Sequence, residues 1–451
     1  MKRVVFILLI AVLSTSSAYA AEYSLDDLYK IALDRSERIK ISEEDLYIAE
    51  RGKDKATAAL LPTVSAFSDY TKYNKKKFGS ANSLIQPESS TTWGVRLDQS
   101  LSLSGREITG FKISKENIEK SRYDLNTVKE NYLFTVSSAY YDVLKAKKNL
   151  DIARANRERL TKHRDAAAIR LKVGEVTKTD LLRAEAELSG SQSEVVRAEN
   201  GLKLAKAVLA RLVGLNRDYD IKAADFKKET LEEFVLGSLI EKAITERAEL
   251  KSFNLQKSIA EEQVTFAKGA YWPTLSIQGV YARADESPAT ASLVKEDIFG
   301  VLSLTFPFFE GGLRKAEVRE AEAKQRQAEL AFEDLKKSIT VEVESAYLDF
   351  MTQKDVLKSL EDQLKFAREN FNSVSKQYAF GLANSIDVID SNTLLVTAER
   401  QFTDAHYNYQ LSILKVEKTT GTLLKTVISQ QSKVMSQNIH EKEGEQKLEK
   451  D

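Results

Sequence analysis

The sequence predicts a mainly α-helical protein with a small β component, built from two internal repeats. The first observation is where proline occurs. Proline is excluded from helix interiors but tolerated at turns and strand starts. All five prolines fall in two windows, 62–105 and 273–312, and residues 106–272 and 308–451 contain none. The chain is therefore expected to consist of long helices interrupted by two short β regions.

Paired motifs provide the second observation. "LLPTVSAFSDY" from Leu60 matches "YWPTLSIQGVY" from Tyr271, and "IRLKVGEVTKTDLL" from Ile169 matches "KQYAFGLANSIDVI" from Lys376. The offset is 211 residues for the first pair and 207 for the second. The change falls inside the β window, where a hairpin loop can vary in length at little cost.

These matches define the predicted organisation of the chain. Each repeat should contain a helix, a β-hairpin and a long helical hairpin. The repeats span residues 21–214 and 241–421, with hairpins at about 62–105 and 273–312, and residues 215–240 and 422–451 lie outside them.

The third observation is a seam of apolar and small residues in steps of three and four, the 3.5-residue period of coiled-coil packing. In the first repeat the seam comprises Leu181, Ala184, Leu188, Ser191, Val195, Ala198, Leu202, Ala205, Leu209 and Leu212. In the second it comprises Leu357, Leu360, Leu364, Ala367, Phe371, Val374 and Tyr378, then Val388, Ser391, Leu395, Ala398, Phe402, Ala405, Tyr409, Ser412 and Val416. Residues 106–172 are predicted to form one helix of roughly 100 Å, at about 1.5 Å per residue.

The β windows show alternating apolar residues. They are Trp93, Val95, Leu97, Leu101 and Leu103 in the first window, and Leu275, Ile277, Tyr281, Ile298, Leu302, Leu304 and Phe306 in the second. Strands of about ten residues with one apolar face fit an outer membrane barrel as well as a half-buried soluble hairpin. Four strands cannot close a barrel, so several chains would have to share one.

The composition restricts the possible functions. Residues 1–20 are predicted to be a signal peptide, with Lys2 and Arg3, an apolar run and an Ala18-Tyr19-Ala20 cleavage site. No transmembrane helix is expected, because no later apolar run is long enough. The chain has no cysteine, only three histidines, and 67 basic against 67 acidic residues. We therefore expect no cofactor, no metal site and no nucleic-acid partner.

The chain resembles the TolC-type outer membrane efflux proteins. The resemblance rests on the doubled strand starts, on "FPFFEGG" before the second long helix, and on the paired turns "LKVGEVTKTDLL" and "YAFGLANSIDVID". It implies a homotrimer in the outer membrane with a large periplasmic part. Three chains would share a twelve-stranded transmembrane β-barrel, continued by a hollow α-barrel. A mixed belt would include residues 215–240 and the segment after Gly421, followed by a disordered tail.

The implied function is that of an outer membrane channel. It would be the exit duct of a tripartite efflux or type I secretion system, working with a periplasmic adaptor and an inner-membrane pump. The alternative is a periplasmic coiled-coil scaffold or adaptor without a pore, which would not need two matched hairpins with apolar faces. Catalysis is not expected, since no phosphate-binding loop or hydrolase motif is present.

The two helix turns are candidate functional sites. Family resemblance implies that equivalent turns meet the adaptor, and the corresponding residues here are Gly174, Glu175, Val176, Gly381, Leu382 and Ala383. Both glycines could also simply end their helices, because glycine readily adopts the left-handed conformation there.

Asp387 and Asp390 lie six and nine residues after Gly381, where the family can carry acidic residues lining the periplasmic entrance. Asp180 and Tyr378 are candidates for a network that closes this entrance. A basic residue that some relatives place two after the glycine is replaced here by Ala383. Asp387 could instead be a first-turn residue favoured by the helix dipole, an explanation that suits Asp390 less well.

Overall fold

The computed structural model describes residues 21–216, 219–222 and 234–430. Its helices are α1 (Leu25–Arg35), α2 (Glu37–Ala58), α3 (Arg106–Lys172), α4 (Lys178–Val213), α5 (Leu236–Glu246), α6 (Ala248–Lys268), α7 (Leu313–Ala379) and α8 (Ser385–Thr419). Its strands are β1 (Ala21–Tyr23), β2 (Thr63–Lys72), β3 (Lys77–Phe78), β4 (Leu84–Gln86), β5 (Ser89–Ser102), β6 (Tyr219–Ile221), β7 (Thr274–Ser287) and β8 (Glu296–Thr305). The prediction of a mainly α-helical fold with a small β component is confirmed.

The four long helices form two antiparallel hairpins, α3 with α4 and α7 with α8. Helices α3 and α7 each contain 67 residues, which corresponds to about 100 Å. Every predicted seam residue in α4, α7 and α8 is buried or half-buried, as coiled-coil packing requires. Within the described residues, no helix combines the length and the apolar composition that a bilayer-spanning helix requires.

The two repeats are visible in the helix boundaries. Helices α3 and α7 begin and end 207 residues apart, and α4 and α8 begin 207 residues apart. The same offset relates three pairs of glycines with positive φ, Gly105 and Gly312, Gly174 and Gly381, and Gly214 and Gly421. Each pair lies at a helix end, where a left-handed residue starts or stops the helix. The internal repeat is therefore present in the structure as well as in the sequence.

The start of each repeat differs from the expected single helix. It is broken into α1 and α2 at Ser36, and into α5 and α6 at Arg247. Both residues have extended ψ angles, of 122° and 120°, which a continuous helix cannot accommodate. Each break packs against the glycine that ends the long hairpin of its own repeat, Gly214 near Arg35 and Gly421 against Arg247.

The principal sheet is antiparallel, with the strand order β2-β5-β7-β8. The two hairpins are joined edge to edge, since β5 pairs with β7 from Ser89↔Ser287 to Ser102↔Thr274. Residues directly opposite share a face, so this register places the predicted apolar positions of both hairpins together. Ile298 and Leu302 on that face are 79% and 71% exposed.

The opposite face of the sheet is mainly polar, although it also carries Phe67, Val280, Phe299 and Val301. Asp98 accepts a hydrogen bond from Gln278 Nε2 at 2.7 Å and pairs with Arg96 Nε at 2.9 Å. Ser100 and Ser276 are linked through their hydroxyls at 2.8 Å. The sheet is therefore amphipathic, and its apolar face is exposed in the single chain.

The largest core lies midway along the long helices. There α1, α3 and α4 pack against the parallel pair β1–β6 and against helical residues 423–430, around Leu133, Tyr140, Leu209 and Leu423. Of the predicted belt at residues 215–240, β6 lies in this core, and the start of α5 packs in a separate core with α7. Residues 217–218 and 223–233 of the predicted belt lie outside the described residues. The predicted signal peptide and the tail beyond residue 430 lie outside the described residues.

We predict that Gly421→Ala destabilises the protein more than Gly214→Ala, its matched control. Both glycines have a positive φ, of 73° and 72°, which costs a residue with a side chain about 1 kcal/mol. A Cβ at Gly421 would lie 2.8 Å from the Arg247 Cα, whereas one at Gly214 would approach Arg35 no closer than 3.8 Å. Thermal unfolding followed by circular dichroism should show the larger decrease in Tm for Gly421→Ala, and equal decreases would contradict this packing.

Candidate channel entrance at the helix turns

The turns between the long helices have the same geometry in both repeats. Gly174 donates to the Leu171 carbonyl at 3.1 Å, and Glu175 N donates to the Arg170 carbonyl at 2.9 Å. In the second repeat Gly381 donates to the Tyr378 carbonyl at 3.0 Å, and Leu382 N donates to the Gln377 carbonyl at 2.8 Å. With φ angles of 81° and 76°, the two glycines end their helices as left-handed caps.

These turns present an exposed apolar tip. Leu382 and Phe380 are 78% and 80% exposed, and Val173 is 67% exposed. Of the other predicted docking residues, Glu175 is exposed, and Val176 and Ala383 are half-buried. Exposed large apolar side chains on a rigid turn are typical of surfaces that bind other proteins.

The first turns of α4 and α8 are stabilised by reciprocal side-chain caps. The Thr177 hydroxyl accepts from Asp180 N at 3.3 Å, while Asp180 Oδ2 accepts from Thr177 N at 2.9 Å. In α8 the Asn384 side chain accepts from Asp387 N at 2.9 Å, and Asp387 Oδ2 accepts from Asn384 N at 3.0 Å. Asp180 and Asp387 therefore both have a structural role as capping-box residues.

Hydrogen bonds from the Thr177 hydroxyl and N–H lower the pKa of Asp180 below its ordinary value. The sequence anticipated a helix-start role for Asp387, but Asp180 was considered only for closing the entrance. The pattern Thr-x-x-Asp before an apolar helix was the signal for its capping role.

Asp390 has no such local role. It is exposed, and it has no hydrogen-bond or ion-pair partner in the described part of the chain. Together with Asp387 it lines a shallow groove of about 370 Å³, whose α7 side is formed by Asn370, Val374 and Gln377. The structure thus brings the two carboxylates to one surface next to the turn, and no lysine or arginine among the described residues pairs with either of them.

Tyr378 connects the end of α7 to α3. Its ring lies beneath the Arg170 guanidinium at 4.4 Å and 5.1 Å from the His163 ring, and its hydroxyl is buried without a hydrogen-bond partner in the described residues. Burial raises the pKa of Tyr378, the Arg170 charge lowers it, and the Asp180 charge adds to the rise. No hydrogen bond joins Tyr378 to Asp180 within the described chain.

The sequence did not reveal how firmly α3 holds the second turn. Arg159 donates to Asn392 at 2.9 Å and to Glu399 at 3.2 Å, and His163 Nε2 lies 3.0 Å from the Ser385 hydroxyl. Arg170 donates to the Ala379 carbonyl at 2.9 Å. These contacts surround a cavity of about 540 Å³ between α3, α7 and α8. Arginines spaced along one face of α3 were the available signal.

No group of histidine, aspartate and glutamate side chains within the described residues is arranged to hold a metal ion. His163 is buried in the contact with Ser385, and burial lowers its pKa. Its role in the structure is to join two helices.

Comparison with known proteins identifies the family. The model of the outer membrane efflux protein family matches residues 28–215 and 239–422, one match for each repeat. The chain belongs to the outer membrane efflux protein family. The outer membrane protein TolC of Escherichia coli is 23% identical over 436 residues, covering 94% of this chain and 87% of that protein. The alkaline protease secretion protein AprF of Pseudomonas aeruginosa is 22% identical, covering 65% of this chain and 62% of its own length.

The fold is also found among solved structures. The Campylobacter jejuni CmeC outer membrane channel matches with a TM-score of 0.79 at 16% identity, covering 88% of this chain and 86% of that chain. Membership of this family places the chain in the outer membrane as an efflux channel protein. Family membership also favours a channel over an enzyme.

We predict that Asp180→Asn destabilises the protein only while Asp180 is ionised in the parent. Because the folded-state pKa is lowered, the carboxylate stabilises the fold above its unfolded pKa of about 3.9, and this contribution is lost as pH falls through the lower folded value. At pH 7 the loss should be about 0.5–1 kcal/mol, the low end for a helix cap, because the group lies near solvent.

Thermal unfolding at pH 7 and at pH 3 or below would test this. The difference between parent and variant should shrink at the lower pH, and Glu185→Gln, an exposed carboxylate in the same helix, should show little effect at either pH. A difference that is unchanged by pH would exclude the capping carboxylate as its cause.

Proposed function

We propose that the protein is the outer membrane exit duct of a tripartite efflux or type I secretion system. The observation that supports this most strongly is the four-stranded sheet, which has an exposed apolar face and two free edges. An exit duct in the outer membrane needs such a face toward lipid. A periplasmic scaffold would leave it in water, and this counts against the alternative function.

The free edges explain why several copies would share the duct, and membership of the outer membrane efflux family implies three copies. An unpaired strand edge in the hydrocarbon region costs several kcal/mol per unsatisfied backbone group, so the sheet must close on itself. Bacterial barrels need at least eight strands, and three copies of β2-β5-β7-β8 supply twelve. In this arrangement β8 of one copy pairs with β2 of the next.

The long helices would continue the duct into the periplasm. Large apolar side chains remain exposed along their outer faces in the single chain, including Leu204 on α4 and Leu330, Val341 and Leu348 on α7. In a trimer these would pack between copies and close a hollow α-barrel. The polar face of the sheet, with Asp98, Ser100 and Gln278, would line the lumen.

The turns at the far end would meet the other components. A periplasmic adaptor would bind the tip formed by Glu175, Val176, Leu382 and Ala383, whose conformation Gly174 and Gly381 set. The adaptor would connect this tip to an inner-membrane pump. The name of the relative AprF associates that protein with protease secretion. Small molecules and proteins are both proposed as cargo classes for this duct.

The entrance itself would carry the carboxylates. In a trimer Asp387 and Asp390 would form two stacked rings of three carboxylates in a narrow aqueous constriction. Such rings concentrate the local field, attract cations and repel anions. Tyr378 and Asp180 would help to keep the entrance closed.

We predict cation-selective conductance in planar bilayers, with block by multivalent cations added from the periplasmic side. Asp387→Ala/Asp390→Ala should weaken the selectivity and remove the block, because the concentrated negative charge is lost. The matched control Asp355→Ala/Asp362→Ala removes two carboxylates from α7 away from the turn and should retain the block. If the entrance variant is blocked as strongly as the parent, the ring arrangement is wrong.

We predict that bulky substitutions at the tip reduce efflux without reducing assembly. Val176→Trp/Leu382→Trp should obstruct an adaptor sterically, while the turn glycines keep the fold. Val176→Ala/Leu382→Ala at the same positions separates loss of the apolar contact from steric obstruction. Efflux is measured in cells alongside the level of assembled protein. Normal efflux by the tryptophan variant at a normal level would show that these turns do not dock the adaptor.

A further inference from the structure

A cluster of lysines lies at the tip of the first β-hairpin, at the end of the sheet that is farthest from the helices. Lys72 ends β2, and Lys75, Lys76 and Lys77 follow within five residues; no acidic residue lies between them. All four side chains are exposed. We call residues 72–78 the lysine tip.

The lysine tip has a defined conformation. Tyr73 N donates to the Glu88 carbonyl at 2.9 Å, and the Gln86 side chain donates to the Lys75 carbonyl at 2.9 Å. Strands β3 and β4 pair across it. This backbone framework holds the lysines next to two exposed apolar side chains, Phe78 at 56% and Ile85 at 59% exposure.

The lysines are mostly available for a partner. Lys76 pairs with Glu88 at 3.4 Å, while Lys72, Lys75 and Lys77 have no carboxylate within ion-pair distance in the described part of the chain. Three unpaired ammonium groups beside exposed apolar surface form a cationic, amphipathic patch. Lysine ammonium groups readily bind phosphate oxygens.

The second hairpin has the opposite charge at the same level. Its tip carries four carboxylates, Asp285, Glu286, Glu296 and Asp297, against two cationic side chains, Arg283 and Lys295. Glu296 pairs with Arg283 at 3.3 Å, and Glu286 accepts from the Thr290 hydroxyl at 2.6 Å. The excess of lysine is therefore a property of the first hairpin rather than of every loop at this end of the sheet.

The strand length places the lysine tip at the membrane boundary. This step rests on the proposed function, in which the helices lie in the periplasm and the hairpin tips outside. Strand β2 has ten residues, or about 33 Å along the strand, and a tilt near 40° reduces this to about 25 Å across the membrane. The lysines thus emerge at the headgroup level of the outer leaflet.

We propose that the lysine tip binds the phosphate groups of the phosphorylated glycolipid of the outer leaflet. Lys72, Lys75 and Lys77 would contact the phosphates, while Phe78 and Ile85 would lie against the boundary of the acyl chains. Lysines near an anionic membrane surface each strengthen binding to it through electrostatic attraction. A neighbouring copy of the chain is the other possible partner, but two carboxylates of its tip already have local partners.

The test uses the purified full-length protein in detergent, titrated with bisphosphorylated lipid A and with zwitterionic phosphatidylethanolamine. Native mass spectrometry counts the lipids bound to each assembly. Lys72→Gln/Lys75→Gln/Lys76→Gln/Lys77→Gln should lower the affinity for lipid A at least tenfold and leave phosphatidylethanolamine binding unchanged. The matched control Lys203→Gln/Lys354→Gln/Lys358→Gln/Lys365→Gln removes four exposed helix lysines and should bind lipid A like the parent.

Unchanged lipid A binding by the tip variant on intact assemblies would overturn the proposal. An equal decrease in the control variant would also overturn it, because binding would then depend on total charge alone. A tip variant that assembles poorly but binds lipid A normally per assembly would show that the tip contacts a neighbouring copy instead. The mass of the parent assembly is read in the same spectra, so a failure of trimer formation counts separately against the proposed function.

Discussion

The unpaired edges of the four-stranded sheet are the constraint on which the rest of the structure depends. Within the described residues, β2 and β8 each leave one edge of backbone donors and acceptors without a neighbouring strand, beside an apolar face. Exposing the apolar face to water would cost free energy. Exposing the unpaired backbone groups of the edges to lipid would also cost free energy. Sharing the sheet among copies avoids both costs, and it also determines where the helices attached to each strand must lie. The proposed duct follows from this closure.

Because of the internal repeat, one chain supplies two β-hairpins to the sheet and two long helical hairpins below it. Each repeat contributes one hairpin to the sheet and one long helical hairpin, related by glycines at equivalent positions. The repeats differ where function would require it. In the described part of the chain, the first turn has its own cap and an ion pair between Glu175 and Arg170 at 3.9 Å. The second hairpin makes hydrogen-bond contacts with three residues of α3, Arg159, His163 and Arg170. The carboxylates Asp387 and Asp390 lie on this second hairpin.

Much of the fold could be predicted from the sequence because it depends on local patterns. The spacing of Leu188, Val195 and Leu209 predicted their burial, and Gly174 and Gly381 marked the helix ends. The breaks at Ser36 and Arg247 were not predicted. Ser36 caps α2 by accepting a hydrogen bond from Ile39 N, a local signal that was missed. Arg247 makes no side-chain cap and packs against Gly421, far along the chain. The contacts of Tyr378 with Arg170 and His163 could not be predicted either, since no local period relates α3 to α7.

The most direct test of this interpretation is the mass of the membrane-extracted protein. Extracted from the outer membrane in mild detergent, the complex should contain three chains, as native mass spectrometry or light scattering with detergent correction would show. Three four-stranded sheets are needed to pair every edge in a twelve-stranded barrel. A stable single chain inserted in the membrane, with its edge strands unpaired, would contradict the shared sheet and the duct built on it.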